Sequence, residues 1–119
     1  MTRHRVLALV YLALSVVGLV GTWWFNLASF AAGEDYLAGW FANAASSSAA
    51  VDILVAGVAA CVLIVVEGRR LGWNPLGVAL LVVLSFVVAV AFTFPLFLAL
   101  RERDLARRED GLTSRAGVR

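Results

Sequence analysis

Residues 49–67 read AAVDILVAGVAACVLIVVE, and whether this stretch crosses a membrane decides the fold. Its charge-free part, Ile53 to Val66, is only 14 residues long. That length alone suits a re-entrant or partly buried segment better than a span. Crossing requires Ala49 to Val51 as well, and therefore Asp52 in the first helical turn. Magnitudes favour it. The ten Val, Ile and Leu residues from Val51 to Val66 contribute about −3 to −6 kcal/mol on an insertion scale, against about +2.5 to +3.5 kcal/mol for one central Asp. Near a helix N-terminus the cost is smaller, because the dipole there favours negative charge. The segment is predicted to span as a helix over 49–67, with Ser46-Ser47-Ser48 supplying its N-cap.

Two longer apolar runs flank it. Val6 to Phe25 (VLALVYLALSVVGLVGTWWF) has twenty residues, about 30 Å of helix and so the thickness of a bilayer core. A cleavable signal peptide competes, since Arg3-His4-Arg5 precedes it and Ser29-Phe30-Ala31 resembles a cleavage site. The run is nevertheless longer than a typical h-region, and Trp23-Trp24 suits a membrane boundary where an apolar ring keeps its N–H wet. A retained helix over about 6–26 is expected. Leu76 to Leu100 is long enough to cross once with tilt. It opens after Trp73-Asn74-Pro75, where proline starts a helix at no cost, and Pro95 predicts a kink around Ala91 to Pro95. The third helix is therefore placed at about 76–100.

The composition agrees. The 119 residues are 62% hydrophobic, with mean hydropathy +0.91, against about 45–50% apolar in soluble domains. The fold class expected is all-α: an integral membrane bundle of three transmembrane helices over residues 1–103. A charged tail at 104–119 continues as frayed helix and becomes disordered past Gly111. Between the first two spans, Tyr36, Leu37, Trp40 and Phe41 recur at helical spacing and predict a short helix lying in the interface.

All ten basic residues are Arg, and all lie outside the apolar runs. Arginines flanking spans anchor helix ends and set topology, so nucleic acid is not an expected partner despite a pI near 9.3. The loop from Asn26 to Ser48 has no Lys or Arg, which favours outside; Arg3 and Arg5 favour an inside N-terminus. Three crossings then send the arginine-rich tail outside, against the positive-inside tendency. An N-inside, C-outside chain is the resulting expectation. Lysine-free, Ala/Val/Gly-rich usage points to a bacterium with GC-rich coding, hence to the bacterial cell (inner) membrane.

Chemistry is limited. Cys61 is alone, so no intrachain disulfide or Cys/His metal site can form, and His4 is the single histidine, read as a solvated interface residue. No Ser/His/Asp set, ligand cluster or phosphate loop supports catalysis, and no cofactor is expected. Small or polar stripes (Tyr11, Ser15, Gly18, Thr22 and Asn26; Asp52, Ala56, Ala59, Ala60 and Glu67; Ser85, Ala89 and Thr93) suit close helix packing, or else a groove for a partner helix or lipid. Asp52 and Glu67, about 22 Å apart along one helix, are too distant to act as a catalytic pair. Glu67 opposes the helix dipole and calls for a cation from Arg70, Arg3 or Arg5. Asp52 shares its leaflet with Asn26, Trp23 and Trp24.

Asn26, the loop aromatics Tyr36, Trp40 and Phe41, then Asp52, Glu67-Gly68-Arg69-Arg70-Leu71-Gly72, Phe94-Pro95-Leu96-Phe97-Leu98 and Arg101-Glu102-Arg103 together resemble a family of small bacterial membrane proteins known only as a domain of unknown function. The resemblance extends to about Arg103. It implies three or so membrane helices, supplies no activity, and marks Asn26, Asp52, Glu67, Arg69, Arg70 and Pro95 for testing. The candidate binding residues are thus Asn26, Asp52, Glu67, Arg69 and Arg70, with no catalytic residue. The expected function is a non-enzymatic accessory subunit or small binding module, with the lipid bilayer and a membrane protein as partners. The alternatives are a homo-oligomeric carrier or channel using Asp52 or Glu67, and a membrane enzyme acting on lipid-linked substrates.

Overall fold

The computed structural model describes residues 3–118, which form five helices: α1 Arg3–Ala31, α2 Tyr36–Trp40, α3 Ala44–Arg70, α4 Pro75–Val87 and α5 Val90–Val118. Among the described residues there is no strand, so the all-α class holds. The molecule measures 65 × 25 × 23 Å.

The first helix runs five residues past its expected end. Gly33 stops it, at φ 67°, in the left-handed region that glycine enters without penalty. Gly33 N–H donates to the Phe30 carbonyl (3.1 Å) and Glu34 N–H to the Ser29 carbonyl (3.1 Å), a paired closure of the last turn. Gly72 (φ 73°) ends α3 in the same way, with Gly72 N–H bonded to Arg69 O and Trp73 N–H to Gly68 O. The expected loop helix is α2; the Asp35 side chain caps it by accepting from Ala38 N–H at 3.1 Å.

The start of α3 corrects the predicted cap. Asn43, ahead of the serines, is the N-cap, accepting from Ser46 N–H (2.9 Å) while the Ser46 hydroxyl accepts from Asn43 N–H (3.2 Å). This reciprocal pair satisfies two otherwise orphaned donors, and starts the helix five residues early. Asp52 consequently sits more than two turns inside α3, beyond the first turn where the dipole stabilises an anion.

The largest departure is in residues 76–100, expected as one crossing. They form two helices that double back at Val88–Ala89. Trp73, just before α4, packs on Phe97 of α5 with ring centroids 5.6 Å apart; in a continuous helix those residues would be separated by about 36 Å. Val88 and Ala89 N–H both reach the Leu84 carbonyl, at 2.9 and 3.3 Å, and α5 begins with Phe92 and Thr93 N–H on the Ala89 carbonyl. Across the bundle, Trp23 Nε1–H donates to the Val88 carbonyl at 2.9 Å. The exposed backbone of the turn is therefore satisfied from α1. Pro95, where the kink was expected, lies inside α5.

The hairpin is held by Ile64, Val78, Leu81 and Phe97, all buried, with Trp73 and Phe94 against them. Val78 meets Gly68 so closely that an added Cβ would lie 2.7 Å from its methyl group. Antiparallel to α5, α1 packs through the predicted stripe: Ser15 is buried and its hydroxyl donates to the Phe92 carbonyl at 2.8 Å. The tail, expected to be disordered past Gly111, continues as exposed helix to Val118. Extending an existing helix adds one bond per residue fixed, without a new nucleation cost.

Doubling back also overturns the expected separation of the ends. Residues 101–110 of α5 lie beside the start of α1, with Arg5 Nη2 3.1 Å from Asp110, so the first turns of α1 and the last turns of α5 share one end with the Arg69–Arg70 turn. The exterior is apolar: Val17, Val20, Phe25, Val55 and Leu76 are exposed, whereas Ser15, Ser85 and Thr93 are buried. Two helices, α1 and α3, are long and apolar enough to cross a membrane; α4 is apolar but shorter.

Candidate functional site

The five candidate residues divide between opposite ends of α3. Asn26 and Asp52 come together. They line a cavity of about 400 Å³ at the arginine-free end, between α1, α2, α3 and the hairpin tip. Its polar lining includes Thr22, Tyr36, Trp40 and Ser85, and the small residues Gly57, Ala89 and Ala91 also line it. Gly57 lets Val90 pack closely on α3, with a methyl that would lie 3.1 Å from an added Cβ.

Local folding sets each group. Asp35 caps α2 and thereby turns Tyr36 toward α1, where its hydroxyl donates to Asn26 Oδ1 at 3.0 Å. Phe30 and Trp40 flank the Tyr36 ring, with centroids 5.5 and 5.8 Å away. The phenol, the amide and the indole are thus held as one unit. Asp52 has no helix dipole to offset its charge, and among the described residues no Arg or His lies within 4.0 Å of its carboxylate. Trp23, expected beside it, is committed to Val88, and Trp24 is exposed. One carboxylate without a cationic partner and the rings of Tyr36 and Trp40 thus line the same cavity, chemistry suited to an ammonium or other hydrogen-bond-donating cation.

Glu67 and Arg70 enter a different cluster. Glu67, largely buried, accepts from Arg70 Nη1 (3.4 Å) and Arg101 Nε (3.1 Å). Arg101 also reaches Glu102 at 3.2 Å, and buried Glu102 bonds His4 Nδ1. Of the expected cations for Glu67, Arg70 serves; Arg5 pairs with Asp110 instead, and Arg101 takes the other place. His4 is half-buried on Glu102, and so is not the solvated residue expected. Asp104 accepts from Trp73 Nε1 (3.3 Å) and Arg108 (3.2 Å), and Arg108 also bonds the Leu71 carbonyl. These bonds tie α1, α3, the α3–α4 turn and α5 together, a cross-linking role. Arg69 is exposed on the last turn of α3, with no ion pair among the described residues.

Sequence reasoning missed His4, Arg101 and Glu102 as partners of this cluster. The only signal was charge complementarity between Arg3-His4-Arg5 and the acidic positions of the tail, which becomes meaningful once residues 76–100 fold back.

No curated protein and no solved structure matches the chain. The family described as "Protein of unknown function DUF2834" matches residues 10–103, a stretch containing Asn26, Asp52, Glu67, Arg69 and Arg70, together with Gly18, Trp23, Pro95, Arg101 and Glu102. The tail beyond Arg103 and the His4 end fall outside the match. All the cavity residues lie inside it, as do Glu67, Arg70, Arg101 and Glu102 of the charged cluster, whereas His4, Asp104 and Arg108 lie outside; the chain belongs to the DUF2834 family of proteins of unknown function.

Proposed function

We propose that this protein is a non-enzymatic, multi-pass membrane binding module that holds a small organic cation in the Asn26–Asp52 cavity. The observation that carries the reading is Asp52 itself. It lies more than two turns inside an apolar helix, in a cavity with Tyr36 and Trp40, with no cation beside it among the described residues. An ionisable group in such a place is costly and marks function by default. Aromatic rings beside a carboxylate recognise ammonium groups through charge and ring quadrupole together.

In this reading α1 and α3 cross the bilayer, and α4 with the apolar half of α5 enters as a hairpin from the arginine end. All nine described arginines then lie on one side. Under the positive-inside rule this side is cytoplasmic, and both termini with it, so the conflict over the tail disappears. The cavity faces the opposite side of a bacterial inner membrane.

The test uses full-length protein in mild detergent with tetramethylammonium and choline as probes. Binding is expected to raise Tm in the wild type and to leave Asp52→Asn unshifted, while a Tyr36→Phe variant keeps a reduced shift. Equal shifts in wild type and Asp52→Asn would overturn the site. Because Asp52 is exposed, a neighbouring copy is a second way to complete the cavity, as the carrier reading requires. A monomer mass in mild detergent removes that reading.

A further inference from the structure

We propose that the groove between α1 and α5 at the arginine end binds an anionic phospholipid, with its phosphate on Arg103 and Arg107 and its acyl chains along Leu9, Leu12, Leu96 and Leu100. The groove encloses about 580 Å³ and has two chemically distinct ends. At one end lie Arg5, Arg103, Arg107 and Asp110; at the other the walls are leucine over the small side chains of Ala8 and Ala99. Leu96, Leu100, Arg103 and Arg107 follow a three- and four-residue spacing, so one face of α5 passes from apolar to cationic within about 16 Å. That matches the passage from acyl chain to phosphate in a lipid monolayer.

The charges are arranged for an anion. Arg5 is engaged by Asp110 at 3.1 Å. Arg103 and Arg107 are exposed, and among the described residues neither has an acidic partner within 4.0 Å. Three guanidinium groups against one carboxylate leave the site cationic. Ala99 and Ala106 are buried beneath it, so their small side chains leave depth that a longer residue would fill. Basic pockets between membrane helices on the cytoplasmic side are suited to anionic headgroups, and guanidinium groups bind phosphate by paired hydrogen bonds. The assignment to a lipid rests on the membrane insertion proposed above; extraction of the protein from cell membranes by salt or alkali without detergent would remove that insertion, independently of whether Arg103 and Arg107 bind phosphate.

The test measures Tm of the full-length protein in a nonionic detergent as dioleoylphosphatidylglycerol, dioleoylphosphatidylcholine or glycerol 3-phosphate is added. Phosphatidylglycerol is expected to stabilise the wild type and phosphatidylcholine to do so weakly or not at all. The double variant Arg103→Gln/Arg107→Gln should bind phosphatidylglycerol about 30-fold more weakly, with its lipid-free Tm unchanged because neither residue is in an ion pair. A control, Arg3→Gln/Arg69→Gln, removes the same charge from the same end outside the groove and should retain binding. Equal loss in the control would mean diffuse attraction to the surface and would overturn the site. Equal stabilisation by glycerol 3-phosphate would overturn the lipid assignment, and undiminished binding by the groove variant would overturn both.

Discussion

The carbonyl of Ala91 rests directly on Gly18, so closely that a Cβ added to Gly18 would lie 2.1 Å from the oxygen. Pro95 is the reason this carbonyl is available. Four residues beyond Ala91, it has no N–H to complete the helical bond. The freed oxygen turns toward α1 at Gly18, where a hydrogen replaces a side chain, and Ser15 bonds the next carbonyl, Phe92 O, at 2.8 Å. A proline in α5 and a glycine in α1 together set how closely these two helices approach, in the manner of small-residue packing in membranes.

Gly18→Ala is accordingly expected to destabilise the bundle by about 1–3 kcal/mol, the usual cost of overpacking. Gly21→Ala, in open space on the same helix, should be neutral or slightly stabilising. Unfolding of both variants in mixed micelles with increasing SDS checks this, and similar midpoints would contradict the contact.

Trp23→Phe keeps an aromatic ring and removes the N–H that reaches Val88. Leaving the carbonyl at the hairpin tip unpaired should cost about 1–3 kcal/mol. Faster amide exchange is expected in residues 84–92, while the exchange of Glu67 to Gly72 at the other end remains unchanged.

Glu102→Gln should be felt more than Asp110→Asn. Glu102 is 5% exposed and is bonded to both His4 and Arg101; loss of charge-assisted bonds there is worth about 1.5–3 kcal/mol. The Arg5–Asp110 pair has side chains 59% and 55% exposed, where an ion pair contributes about 0–1 kcal/mol. Comparing the two unfolding midpoints at low and high salt tests the order, and salt should narrow only the second effect.

Topology has a direct readout. With Cys61→Ser as background, a cysteine at Ser47 should react with a membrane-impermeant maleimide in intact cells, and one at Val118 should react only after the cells are opened. A reporter active only in the cytoplasm should function when fused after Val118. Labelling of Val118→Cys in intact cells would restore a third full crossing.

Much of the site was legible because it depends on local pattern. Asn26 follows Ser15, Gly18 and Thr22 on one helical face, and Tyr36 and Trp40 share a face of a single short helix. Both signals survive whatever the rest of the chain does. Glu67 was legible only as an acid needing a cation. Its second partner, Arg101, lies 34 residues away and becomes adjacent through the hairpin.

The apolar lengths, the arginine-free loop and the small-residue stripes determined by themselves that α1 and α3 are long apolar helices, and that Asn26 and Asp52 belong to one end. The tertiary structure alone decided the turn at Val88–Ala89. That stretch, FVVAVAF, has no glycine, proline or polar residue to signal a break, and its local propensity is as compatible with one helix as with two. What stabilises the turn comes from elsewhere: the Trp23 N–H on Val88, Gly68 making room for Val78, and Trp73 packing on Phe97. Helix periodicity is a local property, whereas the satisfaction of a broken backbone is not. That non-local satisfaction brings the tail beside the start of α1 and gathers the described arginines at one end.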